Sequence, residues 1–226
     1  MLVRRILKTS ILTISLVLSF SYFNLFEWGV GGVEIKKDGL NVSKDEIIGT
    51  IDPLLEPGWL YLHLSSIKEA LSELPWVEDV QVYRIFPDKI ALNIKEKVAV
   101  ARYGSDGLVS LSGRVFKPSN EYMSTDLPVL DAPNNDFKLV FSALLQLKQA
   151  LLNNKDLPQN VSKLKYSPDT GWDVTFTNSL LVHLGRVDFT SAIGKFSYYY
   201  PKIVTRNKNK VIKTIDMRYA NGAAVS

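Results

Sequence analysis

Cysteine is missing from this chain altogether. That excludes disulfides, thiol nucleophiles and cysteine metal ligands, so any exported part must hold itself together by core packing. Histidine is nearly as scarce, with two in 226 residues. His63 sits in a loop beside Pro57-Gly58 without metal-ligand spacing to another residue. His183 falls between Val182 and Leu184 in an expected strand, where a solvated side chain is the simplest reading. Nucleophile elbow, zinc-protease helix, Walker loop and dinucleotide fingerprint are all absent. Glu78 and Asp79 adjoin on an expected strand and point to opposite faces, so they cannot share a proton. The glycines of Gly29-Val30-Gly31-Gly32 lack the preceding strand and following helix of a phosphate loop and read as a hinge. Tyr198, Tyr199 and Tyr200 at helical spacing point in three directions and make no sugar platform. Nor does charge of one sign dominate. Arginine and lysine total 27 against 23 carboxylates, and Arg4, Arg5 and Lys8 account for most of the difference. No basic stripe with interleaved aromatics marks a nucleic-acid surface. The residues point away from catalysis, metals, cofactors, small-molecule substrates and nucleic acids.

What is present begins with an uncharged apolar run, Thr9 to Phe26, preceded by those three cations and followed by Glu27. As a helix it rises about 27 Å, close to the hydrocarbon thickness of a bilayer. The cation bias puts Met1 in the cytoplasm and everything after Glu27 outside. A cleaved secretory signal is the rival reading, but Ser19-Phe20-Ser21-Tyr22-Phe23-Asn24 is bulky where a small-x-small site belongs. The expected organisation is a cytoplasmic tail at 1–8, a transmembrane helix at 9–26, a hinge at 27–32 and an extracytoplasmic remainder. Core-forming composition without cysteine suits a bacterial envelope protein better than a eukaryotic secreted one.

The remainder reads as α+β. Val33-Glu34-Ile35 predicts a strand. Ser43-x-x-Glu46 and Ser66-x-x-Glu69 each match a capping box at a helix start. Trp76 to Phe86 and Lys89 to Lys97 predict a hairpin about Pro87-Asp88, with Ile90, Leu92 and Ile94 on its buried face. The order β-α-α-β-β suits a helix pair on a three-stranded sheet. Further on, strands around Ser112-Gly113 lead to an amphipathic helix from Phe137 to Leu151. A strand at Val161 to Tyr166, a hairpin about Asn178-Ser179 and a helix capped by Asp188 and ended by Pro201 follow. A terminal strand, Val211 to Tyr219, places Val211, Ile215, Met217 and Tyr219 on one side and Thr214, Asp216 and Arg218 on the other. This second part is expected to be a mainly antiparallel β domain with helices.

Four stretches carry a family resemblance in order and spacing. They are Leu74-Pro-Trp-Val-Glu-Asp-Val-Gln-Val-Tyr-Arg-Ile-Phe-Pro-Asp88, Glu96-Lys-Val-Ala-Val-Ala-Arg102, Leu184-Gly-Arg186 and Ile215-Asp-Met-Arg-Tyr-Ala-Asn-Gly-Ala-Ala-Val225. From the anchor almost to the last residue the chain resembles the FtsQ/DivIB family of bacterial division proteins. The resemblance implies a POTRA domain over 33–102 and a β domain over 103–226. It implies a non-enzymatic scaffold of the divisome, joining FtsB and FtsL into a trimeric subcomplex at the septum. The expected FtsB contact carries over to Arg218, Tyr219, Asn221 and Gly222, and positions linked to recruitment carry over to Asp79, Val82, Arg84 and Glu96. The tail before the anchor is shorter than the family pattern, and the chain ends at Ser226 where that pattern runs on to an aromatic residue.

A mechanism follows if Val211 to Tyr219 lies at a sheet edge. Its free backbone groups would accept a partner strand, with Arg218 pairing a carboxylate and Tyr219 as aromatic anchor. From the pattern alone, a core Tyr219 beside a solvated Arg218 is an equal reading. Val82 also reads as core, and Arg84 with Glu96 as a cross-strand ion pair. Two alternatives of other classes stand beside the scaffold. A POTRA-bearing transport component would need a long run of barrel strands, and a membrane-anchored cell-wall enzyme would need a catalytic constellation.

Overall fold

The computed structural model describes residues 10–19, 29–118, 126–133, 136–208, 210–219 and 222–226. Residues 10–19 are helical and exposed throughout. Among the described residues no helix is long and apolar enough to cross a membrane; the rest of the expected anchor, 9 and 20–26, lies outside them. The chain divides into two compact units between Lys97 and Val98.

The first unit runs β1 (Gly32–Lys37), α1 (Lys44–Leu55), α2 (Leu64–Ser72), β2 (Val77–Ile85) and β3 (Lys89–Glu96). Its sheet has the order β1-β3-β2, with β1 parallel and β2 antiparallel to β3. Ile47 and Ile51 of α1 and Ile67 and Leu71 of α2 are buried, as are Val80 on β2 and Ile90, Leu92 and Ile94 on β3. Alternation along β3 sends every second side chain into this core. Ser43 caps α1 by accepting the Glu46 N–H at 3.0 Å. The second capping box is not formed. Helix α2 starts a turn earlier, at His63, because burial of Leu62 fixes the entry and the Ser66 and Ile67 N–H groups already bond the His63 carbonyl.

In the second unit β4 (Ala99–Tyr103), β5 (Gly107–Ser110), β6 (Val115–Phe116) and β7 (Val129–Asp131) precede α3 (Phe137–Asn153). Then come β8 (Val161–Ser167), β9 (Gly171–Phe176), β10 (Leu181–Gly185), α4 (Phe189–Arg206), β11 (Thr214–Asp216) and β12 (Ala224–Val225). One nine-stranded sheet holds them in the order β12-β11-β10-β9-β8-β7-β4-β5-β6. The β4–β7, β7–β8 and β10–β11 pairs are parallel and the other pairs antiparallel. Because β4 sits between β5 and β7, residues 99–102 belong to this sheet, whereas the expected domain boundary falls after 102. Helices α3 and α4 build the core with the sheet, including a stacked Phe176–Phe196 pair.

Two expectations fail here for physical reasons. Pro201 does not end α4, because buried Ile203 anchors the turn beyond it to the core. A proline in a helix loses one hydrogen bond, which such packing offsets. The terminal strand is also shorter than expected, and β11 is not an edge. It pairs with β10 on one side and with the chain's own C-terminal residues on the other.

Candidate partner interface

The end of the large sheet is built by self-complementation. Ile215 opposes Val225 and Asp216 opposes Ala224. The Lys213 and Thr214 N–H groups donate to the Ser226 carbonyl at 2.9 and 3.1 Å, and the Ser226 N–H donates back to Thr214 at 3.1 Å. Antiparallel register alternates, so Ala224 and Ser226 turn their backbone groups toward β11 while Val225 turns its own outward. Strand β12 is therefore the edge that a partner strand can meet.

Ile215 and Met217 are buried and fasten this edge to the core. Val211 and Tyr219, expected on the same side, are exposed, because regular pairing of β11 ends at Asp216. Tyr219 is 59% exposed, which removes the reading of it as core. Its carbonyl accepts from Lys195 Nζ, as does that of Met217 at 3.0 Å, so the segment is pinned to α4.

Arg218 is not a free cation. Its Nε lies 2.9 and 3.0 Å from the two Asp216 carboxylate oxygens and its Nη2 2.5 Å from Oδ2, a forked pair closed by its own N–H donating to Oδ1 at 3.0 Å. Those bonds hold the Asp216 carboxyl down at about 2. Gly185, in the left-handed region at φ 82°, makes room: a Cβ there would sit 3.0 Å from Arg218 Cγ. A depression of about 550 Å³ opens beside Gly185, Arg186, Lys195, Met217, Arg218 and Tyr219. Of the four residues expected at the contact, Arg218 and Tyr219 line this depression, Gly222 lies two residues before β12, and Asn221 lies outside the described residues.

Sequence reasoning missed three contributors. Asp216 was signalled by its i, i+2 spacing from Arg218, which places both on one strand face. Lys195 and the Ala224–Val225 strand carried no local signal. His183, expected as a solvated side chain, is half-exposed and also lies 2.6 Å from Asp173 across the hairpin and opposite Asp216 in register, in a polar ladder over three strands.

The first-unit candidates do not converge. Asp79 is exposed, Val82 and Arg84 follow it along β2, and β2 is an edge strand among the described residues. Arg84 and Glu96 form no cross-strand pair, since Arg84 opposes Ile90 and Glu96 opposes Val77 at the other end of the hairpin. Arg84 instead donates to the carbonyls of Trp59, Leu60 and Leu62 and lies 5.7 Å from the Trp59 ring centroid. Glu96 is buried as the last member of the inward series of β3. It accepts from the Asn41 and Val42 N–H groups at 2.8 and 3.4 Å and pairs with Lys37 at 3.7 Å. Its surroundings are those of a structural clamp on the loop between β1 and α1.

Residues 98–218 match the family model for the C-terminal part of cell division protein FtsQ/DivIB. The chain belongs to this family. Residues 30–97 match the FtsQ-type POTRA domain, which accounts for the β-α-α-β-β order of the first unit. Similar relatives include the cell division protein FtsQ of Coxiella burnetii, 29% identical over 76% of this chain and 69% of that protein. That of Haemophilus influenzae is 31% identical over 72% of this chain and 63% of the relative, and that of Escherichia coli 27% over 80% and 66%. The FtsQ/DivIB match covers β4 through Arg218 and stops short of Tyr219 and β12.

Proposed function

We propose that this chain is a non-enzymatic scaffold of the bacterial divisome that spans the inner membrane once, with its N-terminus in the cytoplasm and both units in the periplasm at the septum. Residues 9–26 form its anchor. Its C-terminal corner receives FtsB, with FtsL held in the same subcomplex. The partner extends the sheet outside β12 rather than beside Val211 to Tyr219, because β11 is already paired on both sides. That exposed, two-residue edge flanked by Tyr219 is the observation that carries the reading. Backbone pairing would set the register, Tyr219 would supply apolar contact, and Arg218 would be shared between Asp216 and a partner carboxylate.

Tyr219→Ala tests the proposal. An aromatic at the centre of such an interface contributes at least about 2 kcal/mol, or roughly thirtyfold in affinity. Calorimetry with FtsB should record that loss beside an unchanged thermal melt, since the ring is largely in solvent. Undiminished binding would remove the corner from the interface.

A further inference from the structure

The first unit carries an aromatic tip that its core does not use. Phe86 is 79% exposed, Leu60 46% and Tyr61 41%, all at the end of the sheet where β2 turns into β3. This tip is built rather than frayed. The Trp59 indole N–H donates to the Lys89 carbonyl at 2.7 Å, and its ring meets Phe86 edge-on at 6.3 Å. Arg84 bonds to the carbonyls of Trp59, Leu60 and Leu62, holding that loop against the turn. Leu60 and Phe86 are thus held outward on a braced frame.

The chain enters the unit at this same end. The Gly31 N–H donates to the Asp88 carbonyl at 2.8 Å, and Gly32 opposes Lys89 in register. The uncharged run closes at Phe26, five residues before Gly31. Five residues reach about 18 Å at full extension, so a membrane entered by that run cannot be far from the tip. Trp, Tyr and Phe with an aliphatic neighbour are the side chains that settle at headgroup level. Charged groups stand at the tip too, Lys89 lying 3.4 Å from Glu34 and Arg84 bonding to loop carbonyls, which suits a shallow seat and not deep insertion.

We propose that the tip carrying Phe86, Leu60 and Tyr61 rests in the interfacial layer of the membrane entered by the apolar run, which orients the first unit on the bilayer. The inference rests on the anchor reading above.

The absence of cysteine makes single labels unambiguous. Spin labels at Phe86→Cys, Leu60→Cys, Leu40→Cys and Val17→Cys are placed one at a time in the full chain. Each variant is reconstituted in phosphatidylethanolamine–phosphatidylglycerol vesicles, and its accessibility to oxygen and to a water-soluble nickel chelate is compared. Leu40 is 93% exposed and follows the far end of β1, about 20 Å from the tip. The oxygen-to-nickel ratio should be several-fold higher at 86 and 60 than at 40, and Phe86→Asp should lower it at 60. Equal ratios at 86, 60 and 40, with position 17 buried in lipid, overturn the seated tip and leave the anchor standing. A water-accessible label at 17 overturns the anchor, and the tip's seat with it.

Discussion

Arg218 has two claims on it, and the internal one can be measured. Its fork depresses the Asp216 carboxyl from 3.8 to about 2. A carboxylate whose pKa is lowered on folding stabilises the native state above its unfolded pKa, and that contribution fades as pH falls through the folded value. Arg218→Ala should return the Asp216 titration toward 3.8 in a carbon-detected NMR pH series. Its thermal melt should fall below that of the parent at pH 7, with the gap closing between about pH 4 and 2. A second residue separates clamp from contact. Glu96→Ala leaves two backbone N–H groups and Lys37 without their buried acceptor, a loss of about 3 kcal/mol. Urea unfolding should register it. A Glu96 variant that fails in recruitment while keeping full stability would support the direct contact role implied by the resemblance.

Among the elements, the two-residue β12 is the one on which the proposed partner strand would pair. Because Ser226 exchanges hydrogen bonds with Thr214, the Val225 N–H faces away from β11. Val225→Pro removes that outward donor and spares the ladder behind it. If a partner strand pairs with β12, affinity should drop by about tenfold, the equivalent of one interfacial hydrogen bond, while amide exchange at Thr214 and Ile215 stays slow. Loss of protection at those amides would mean that the proline had detached the strand itself. Helix α4 offers the complementary lesson that Pro201 is a local veto which buried Ile203 overrules.

The whole molecule is two units, and the position of β4 decides where one can be cut from the other. Ala101, fully buried, and Val100 belong to a strand that joins β5 and β6 to the rest of the large sheet. A fragment of residues 98–226 should give a dispersed amide spectrum and a cooperative melt. One of residues 103–226 should give neither, because it loses the strand on which both neighbours pair. Equal behaviour of the two fragments would show β4 to be dispensable.

Periodicity and capping were enough to place most elements. The alternation of Ile90, Leu92 and Ile94, the Ser43 and Asp188 caps and the Asn178-Ser179 turn act within a few residues, and the folded chain keeps them. The family motifs likewise survive in linear order. Pairings between segments far apart in the chain were not legible. Strand β4 falls beside Lys97 in sequence and beside β7 in space. Glu96 and Arg84 share a hairpin yet serve opposite ends of it. The C-terminal Ala224-Val225 carries no strand signal of its own and becomes one only because β11 leaves a row of backbone groups to be satisfied. Local propensity depends on the neighbours a residue always has. An edge, a buried carboxylate and an exposed tyrosine depend on neighbours that only the closed chain supplies.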